Sequence, residues 1–98
     1  MKNFFFHPEA EEEMKASAAF YETKINGLGD KFLDEIDYAL ESISVSPEAW
    51  PIYFENIRRF LLRRFPFGIL YEIIGDSLYV IAVMHLKRKP FYWEDRLN

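Results

Sequence analysis

The stretch Arg58-Arg59-Phe60-Leu61-Leu62-Arg63-Arg64-Phe65-Pro66-Phe67-Gly68-Ile69-Leu70-Tyr71 decides the interpretation of this chain. Two arginine pairs surround an apolar centre, and a second apolar run begins after Pro66. Short apolar runs separated by turn-forming residues are typical of strands. The stretch therefore predicts two neighbouring strands of a sheet, with a charged rim beside a core.

Three apolar runs predict strands over residues 57–65, 68–74 and 78–85. Gly75-Asp76 predicts a tight hairpin turn between the last two. With a two-residue turn, Gly68 lies opposite Val83, and side chains two residues apart share a face. The predicted members of one face are Gly68, Leu70, Glu72, Tyr79, Ile81, Val83 and His85. The last run is apolar on both faces, which indicates a central strand.

The N-terminal half predicts one strand and two helices. Residues 2–6 are mostly aromatic and are interpreted as a strand, and Pro8 marks a helix start near His7. The short link at Asn26-Gly27 predicts an antiparallel helix pair, and Ser46-Pro47 ends the second helix. An apolar stripe defines each helix: Ala10, Met14, Ala18, Tyr21 and Ile25 in the first, and Phe32, Ile36, Leu40 and Ile43 in the second.

Together these elements predict an α+β fold in a single domain over residues 1–98. A helix hairpin packs on one face of a small, mostly antiparallel sheet in the order β-α-α-β-β-β, and a short helical tail follows at the C-terminus. The opposite face of the sheet is then only partly covered, so we expect a concave site there.

The composition excludes several classes of function. The chain has no cysteine, which excludes disulfide frameworks, thiolate metal sites and cysteine nucleophiles, and makes a reducing cytoplasm the expected compartment. No apolar run approaches the roughly 20 residues that span a bilayer. Glycine-rich phosphate loops, paired metal-ligand motifs and nucleophile elbows are absent, so neither a cofactor nor a metal is expected.

The net charge of -4 conceals a division along the chain. Residues 1–57 carry four Lys and Arg against twelve Asp and Glu, whereas residues 58–98 carry eight against four. The C-terminal part is therefore suited to an anionic partner, while the N-terminal part faces water.

The paired arginines are the first candidate site. In a strand, one arginine of each pair, Arg58-Arg59 and Arg63-Arg64, points away from the buried face. Such guanidinium groups suit phosphates or the carboxylates of a protein partner. The alternative is that they form ion pairs with the acidic helices of the same chain.

The end of the chain supplies further candidates. His85 closes a predicted strand and is either a general acid or base, a phosphate donor, or a histidine bonded to its neighbours. Arg88 and Tyr92 are favoured as site members, whereas Phe91 and Trp93 are assigned to packing. The acidic run at residues 9–13 is interpreted as a solvated helix start without a chemical role.

Several segments, taken in order, resemble the RelE/ParE superfamily, the toxins of type II toxin-antitoxin modules that are often called plasmid stabilisation proteins. The matching segments are residues 8–13, 27–32, 47–51 and 57–67, with Tyr71, and finally residues 82–93. The resemblance covers nearly the whole chain. It implies the fold derived above, with the first strand joining the edge of the sheet.

The resemblance implies one of two activities. RelE-like members cleave messenger RNA in the ribosome with basic residues and no metal, and ParE-like members inhibit DNA gyrase. At the position of a catalytic arginine in RelE-like enzymes this chain has Gly68, and of their lysine pair on the preceding strand only Arg59 keeps a positive charge, because Leu61 is neutral. We therefore expect a ParE-like toxin that inhibits an essential target, DNA gyrase, and is neutralised by a cognate antitoxin.

Two alternatives stay open at this point. One is a RelE-like, ribosome-dependent messenger RNA endoribonuclease, and the other is a non-toxic interaction module. The expected partners are the antitoxin and either gyrase or the ribosome with messenger RNA, without a membrane, in a homodimer or a toxin-antitoxin hetero-oligomer. We expect the antitoxin over residues 58–64 and the helix hairpin. The catalytic residues of a nuclease would be His85, Arg59, Arg63, Arg88 and Tyr92; the partner-binding residues would be Arg58, Arg59, Arg63, Arg64 and Arg88.

Overall fold

The computed structural model describes residues 3–97, and Lys2, where the first strand is predicted to start, lies outside them. A helix hairpin packs on one face of a five-stranded sheet, which confirms the predicted α+β fold. In chain order the elements are β1 (Asn3–Phe6), α1 (Pro8–Lys24), α2 (Leu28–Val45), β2 (Ile52–Phe54), β3 (Ile57–Leu61), β4 (Phe67–Ile74), β5 (Ser77–His85) and a 3-10 turn at Glu94–Arg96.

The sheet has the strand order β1-β5-β4-β3-β2, and β1 is parallel to β5 while the other neighbours are antiparallel. The apolar strand β5 is thus paired on both sides, as predicted for it. The edge strand β2 was not predicted, since three residues are too few to show an alternating pattern. No helix within residues 3–97 combines the length and the apolarity that crossing a membrane requires.

The two helices approach each other closely at their connection. A Cβ atom at Gly29 would lie 2.5 Å from the backbone oxygen of Ala18, so only glycine fits between the helices. The Glu22 carboxylate accepts hydrogen bonds from the N–H groups of Gly27 and Gly29, at 2.9 and 3.0 Å. These bonds satisfy donors that the first turn of α2 leaves without a partner. Ile25, predicted as the last member of the first stripe, instead follows α1 and is exposed.

Aromatic rings fill the space between the helices and the sheet. Phe32 of α2 packs edge-on against Phe65 and Phe67, with ring centroids 5.1 and 5.0 Å apart. Tyr21 of α1 closes the cluster at 4.9 Å from Phe65. Such edge-to-face pairs each add about 0.5–1.5 kcal/mol to the stabilisation from burial.

The other face of the sheet is covered by the end of the chain. Trp93 is fully buried there and packs with Leu70 and Met84. Its predicted packing role is confirmed, although the face is more completely covered than expected. The neighbouring Phe91 is 42% exposed and has a φ of 62°, which is unusual for a bulky side chain.

The β4–β5 hairpin departs from the predicted register after its first pairs. Ile81 is an extra residue, a β-bulge, so Gly68 lies opposite Met84 rather than Val83. One extra residue places the side chains of β5 that follow it on the face opposite to the predicted one. Val83 and His85 therefore face the helices, and their predicted place on the face of Gly68 was wrong.

Candidate functional site

The two arginine pairs lie in different structural settings. Arg58 and Arg59 are on β3, where they point to opposite faces of the sheet. Arg63 and Arg64 follow β3, which ends at Leu61 and not at residue 65 as predicted. Side chains on opposite faces, as predicted for both arginine pairs, are therefore found only for Arg58 and Arg59.

Arg58 points to the helix side and holds the loop of residues 47–51. Its Nη1 donates hydrogen bonds to the carbonyl oxygens of Glu48 and Trp50, at 3.1 and 2.7 Å. The buried Tyr71 hydroxyl donates to the carbonyl of Pro47 at 2.6 Å in the same loop. Burial raises the pKa of Tyr71 to about 12, against the opposing charge of Arg58. The interactions of Arg58 are thus made within the fold.

Arg59 points to the other side, where its guanidinium lies 4.5 Å from the ring centre of Tyr53. Its aliphatic stem crosses Gly68, since a Cβ atom there would lie 3.1 Å from Arg59 Cγ and 3.2 Å from Cδ. The guanidinium also lines an apolar groove of about 270 Å³ between Trp50 and Leu61. This groove lies beside the short edge strand β2.

Arg63 and Arg64 are exposed in the connection between β3 and β4. The guanidinium of Arg63 lies 4.4 Å from the ring centre of Tyr38 on α2. The backbone N–H of Arg64 donates to the buried Glu35 carboxylate at 2.6 Å, which ties the connection to α2. Among residues 3–97, side-chain ion pairs join Arg96 to Glu13 and Glu9 only, so the predicted alternative of ion-paired arginines is not found for these four.

His85 and Arg88 meet at the turn that follows β5. The Arg88 N–H donates to the His85 carbonyl at 3.0 Å, and the Arg88 guanidinium lies 3.9 Å from the ring centre of Tyr92. The His85 Nδ1 accepts the N–H of Lys87 at 3.0 Å. A neutral imidazole whose Nδ1 accepts a hydrogen bond carries its proton on Nε2, so Nε2 is a donor here.

Tyr92 is held by a partly buried network around Glu13, which sequence reasoning missed. The Tyr92 hydroxyl donates to Glu13 Oε2 at 2.7 Å, and Arg96 donates to both carboxylate oxygens at 3.0 and 2.8 Å. Glu13 Oε1 also accepts the N–H of Val83, and Arg96 donates to the carbonyl of Ile81, each at 3.0 Å. The network therefore supplies hydrogen-bond partners to the backbone groups of β5 that lie beyond the end of its neighbour β1.

The pKa values of the network follow from its geometry. Burial, followed by the hydrogen bond and charge of Glu13, raises the pKa of Tyr92 well above its usual value. Burial is the largest single influence on Arg96 and lowers its pKa, but the hydrogen bond to Glu13 and the charges of Glu13, Tyr92 and Glu9 together outweigh it, so the pKa is raised. Reading residues 9–13 as wholly solvated was thus wrong for Glu13. The signal was its position three residues after Ala10 of the apolar stripe, since residues three apart are neighbours on a helix.

The predicted nuclease residues do not form one constellation. His85 and Arg88 line the same groove, and Tyr92 contacts Arg88. Arg59 lies on the opposite face of the sheet, and Arg63 contacts α2. In the part of the chain that the structure describes, no group of three His, Asp or Glu side chains is placed to hold a metal ion.

Comparisons with known proteins agree with this architecture. Two solved structures are similar: a chain of the chromosomal ParDE toxin-antitoxin system of P. aeruginosa and the isolated RelE toxin of E. coli. The first is 16% identical with a TM-score of 0.65, covering 89% of this chain and 98% of that chain. The second is 20% identical with a TM-score of 0.66, covering 97% and 95%. At these identities the likeness shows the fold alone.

The family comparison is more specific. A search of curated proteins gives no significant match. A scan against family models matches residues 4–90 to the model described as the ParE toxin of the type II toxin-antitoxin system, parDE. This match spans most of the chain, which therefore belongs to the ParE toxin family of type II toxin-antitoxin systems.

Proposed function

We propose that this chain inhibits DNA gyrase in the cytoplasm by binding to it, and that a cognate antitoxin neutralises it. The observation that carries the proposal is the contact between Gly68 and Arg59. RelE-like nucleases use an arginine side chain at the position of Gly68. Here that space is taken by the stem of Arg59, which leaves one cation where those enzymes bring several to the scissile phosphate.

The environment of His85 also supports binding over RNA cleavage. A general base must accept the proton of the ribose 2'-hydroxyl. The Nδ1 of His85 already accepts the Lys87 N–H, and Nε2 carries the proton in the neutral form. The imidazole is therefore suited to donate a hydrogen bond, and less suited to remove a proton.

The half-buried Arg59 and the exposed Arg63 are the proposed contacts with protein partners. Each lies over a tyrosine ring and has no carboxylate partner among residues 3–97, so both guanidinium groups remain able to bind acidic side chains. Exposed apolar residues lie nearby: Ile52 at 60%, Leu61 at 49% and Tyr38 at 49%. The Arg59 patch and the Arg63 patch lie on different sides of the sheet, so an apolar, acidic antitoxin segment would have to wrap around residues 58–64 to contact both.

The direct test is a supercoiling assay with purified gyrase. We expect micromolar protein to reduce the supercoiling of relaxed plasmid, and a co-purified antitoxin to restore it. The neighbouring open reading frames supply the antitoxin candidates for co-expression and pull-down. Full supercoiling at micromolar protein would remove gyrase as the target, and failure of both neighbours to co-purify would count against the antitoxin.

One observation favours the nuclease as a second candidate. His85 and Arg88 line one groove, so a phosphate donor and a cation are close together. Primer extension on messenger RNA after induction would then reveal codon-specific cuts. Cuts that persist in His85→Ala would exclude His85 from the mechanism, and a complete absence of cuts would exclude this class.

A further inference from the structure

The groove between α1 and the end of β5 differs chemically from the Arg59 groove. It has a volume of about 290 Å³ and an apolar wall that includes Phe20, Phe67 and Val83. Its polar lining includes Glu13, His85 and Arg88. The groove was not anticipated, because the bulge at Ile81 turns His85 toward the helices.

The free imidazole and guanidinium groups of this groove are donors, and the hydroxyls of Ser17 and Tyr21 beside them can both donate and accept. Both oxygens of Glu13 already accept two hydrogen bonds each, and Arg96 compensates the charge. The Nε2–H of His85 and the guanidinium of Arg88 have no acceptor among residues 3–97. A carboxylate is the natural acceptor for this pair, because charge-assisted bonds to a guanidinium are the stronger kind.

An apolar strip on α1 continues the groove. Phe20 is 55% exposed, although it is large and aromatic, and Ala16 lies one helical turn before it. The ammonium group of Lys24 lies 4.9 Å from the ring centre of Phe20, which adds positive charge at this end. An exposed aromatic residue beside free donors is typical of an anchor position in a protein interface.

We propose that this groove docks a peptide segment that carries an apolar residue beside an Asp or Glu. The apolar side chain packs on Phe20 and Val83, and the carboxylate accepts bonds from His85 and Arg88. Charge favours a peptide over a nucleic acid, because the exposed Glu12 lies one turn before Ala16 and repels a chain of phosphates. Identifying the peptide as an antitoxin segment rests on the proposed function, whereas the groove chemistry does not.

The first test uses blocked dipeptides and backbone amide NMR of the whole chain. Acetyl-Leu-Asp-amide is expected to shift the amide signals of Phe20, Val83 and His85, with a Kd on the order of millimolar. Acetyl-Leu-Asn-amide lacks the charge and should bind about tenfold more weakly. Equal affinity for the two dipeptides, or inorganic phosphate binding as tightly as the Asp dipeptide, would overturn the proposal.

Matched variants locate the binding. Arg88→Gln and Phe20→Ala should each weaken the Asp dipeptide about fivefold or more. Lys89→Gln removes the same charge from the same turn, and Phe5→Ala removes a ring that is 54% exposed on β1; both should leave the affinity unchanged. Equal losses in the control variants would contradict docking in this groove.

A pull-down separates the groove from the proposed function. If the wild-type chain captures its antitoxin, Arg88→Glu should weaken capture at least fivefold and Lys89→Glu should leave it unchanged. Undiminished capture by both variants would exclude the antitoxin as the occupant. Failure of the wild type to capture either neighbour, with dipeptide binding intact, would count against the proposed function and leave the groove as a docking site for another acidic peptide.

Discussion

Arg96 and Arg63 place the same guanidinium in opposite environments. The Arg96 side chain is 6% exposed and lies between the Glu13 carboxylate and the edge of β5. Arg63 is exposed, lies over the ring of Tyr38, and has no carboxylate partner in the described part of the chain, residues 3–97. Burying a charge is tolerated only with a close counter-charge and hydrogen bonds, whereas an exposed guanidinium on an aromatic ring remains available. The first arrangement thus serves the fold, and the second is free for a partner.

The two regions also differ in the distances they bridge along the chain. The network of Arg96 joins residues 83 positions apart and attaches the end of the chain to α1. The segment around Arg63 is fixed through Glu35 and the backbone of Arg64, so its guanidinium adds little to the fold. Substitutions in the two regions should therefore separate stability from partner binding.

The largest effect is expected in the network of Arg96. Arg96→Ala leaves the Glu13 carboxylate, whose side chain is 14% exposed, without its cation, and should lower the free energy of unfolding by about 3 kcal/mol. The paired replacement Glu13→Leu with Arg96→Met removes both charges. It also leaves the Val83 N–H, the Tyr92 hydroxyl and the Ile81 carbonyl without these partners, so it should recover only part of the loss. Urea unfolding measures both. A loss below about 1 kcal/mol for the single variant would mean that this pair does not hold the C-terminal segment.

The next effect is a loss of stability in alkali. The unfolded chain releases a tyrosine proton near pH 10, whereas burial raises the pKa of Tyr71 to about 12. The neutral Tyr71 hydroxyl thus contributes about 2 kcal/mol to the free energy of unfolding below pH 10, and this contribution is lost as the pH rises through 12. Tyr71→Phe should remove this dependence on pH. Urea unfolding at rising pH measures the free energy, and tyrosinate absorbance measures the ionisation; an equal fall of stability with pH in wild type and Tyr71→Phe would contradict the prediction.

A smaller effect is expected at Gly68. The atoms that a Cβ would meet belong to the flexible stem of Arg59, so Gly68→Ala should cost less than about 1 kcal/mol. At Gly29 the neighbouring atom is a backbone oxygen 2.5 Å away, so Gly29→Ala should cost about 2 kcal/mol. Thermal unfolding of the two alanine variants compares them directly. Equal costs would mean that the Arg59 stem is rigid.

The sequence predicted the helices and strands better than the register in which the strands pair. Apolar stripes located both helices, and Gly75-Asp76 located the hairpin. The bulge at Ile81 left no signal, because residues 78–84 are apolar at nearly every position and give no alternation that a shift would disturb. His85 was consequently assigned to the wrong face.

Within the candidate site, membership was partly predictable and the contacts were not. Arg88 and Tyr92 were predicted as site members, but the chain between them is not helical, so their spacing of four residues does not predict the contact that the structure shows. The position of Glu13 beside the apolar stripe indicates that it is partly buried, but its partner Tyr92 lies 79 positions later, so no local pattern reveals the pair. The acidic run around Glu13 favours a solvated helix start, and only the tertiary fold buries this one member.

The smallest effect on stability, with the most direct effect on function, is expected at Arg63. Arg63→Ala should cost about 0.5 kcal/mol, because it removes one exposed cation–π contact. The binding of the Arg63→Ala variant to a protein partner should weaken about tenfold if the Arg63 guanidinium pairs with a carboxylate of that partner. Lys89→Ala is the matched control, since it removes an exposed charge from another turn. Growth arrest on induction and antitoxin capture measure the effect. If Arg63→Ala left toxicity and antitoxin capture unchanged but greatly lowered the stability, Arg63 would, like Arg96, serve the fold and not partner binding.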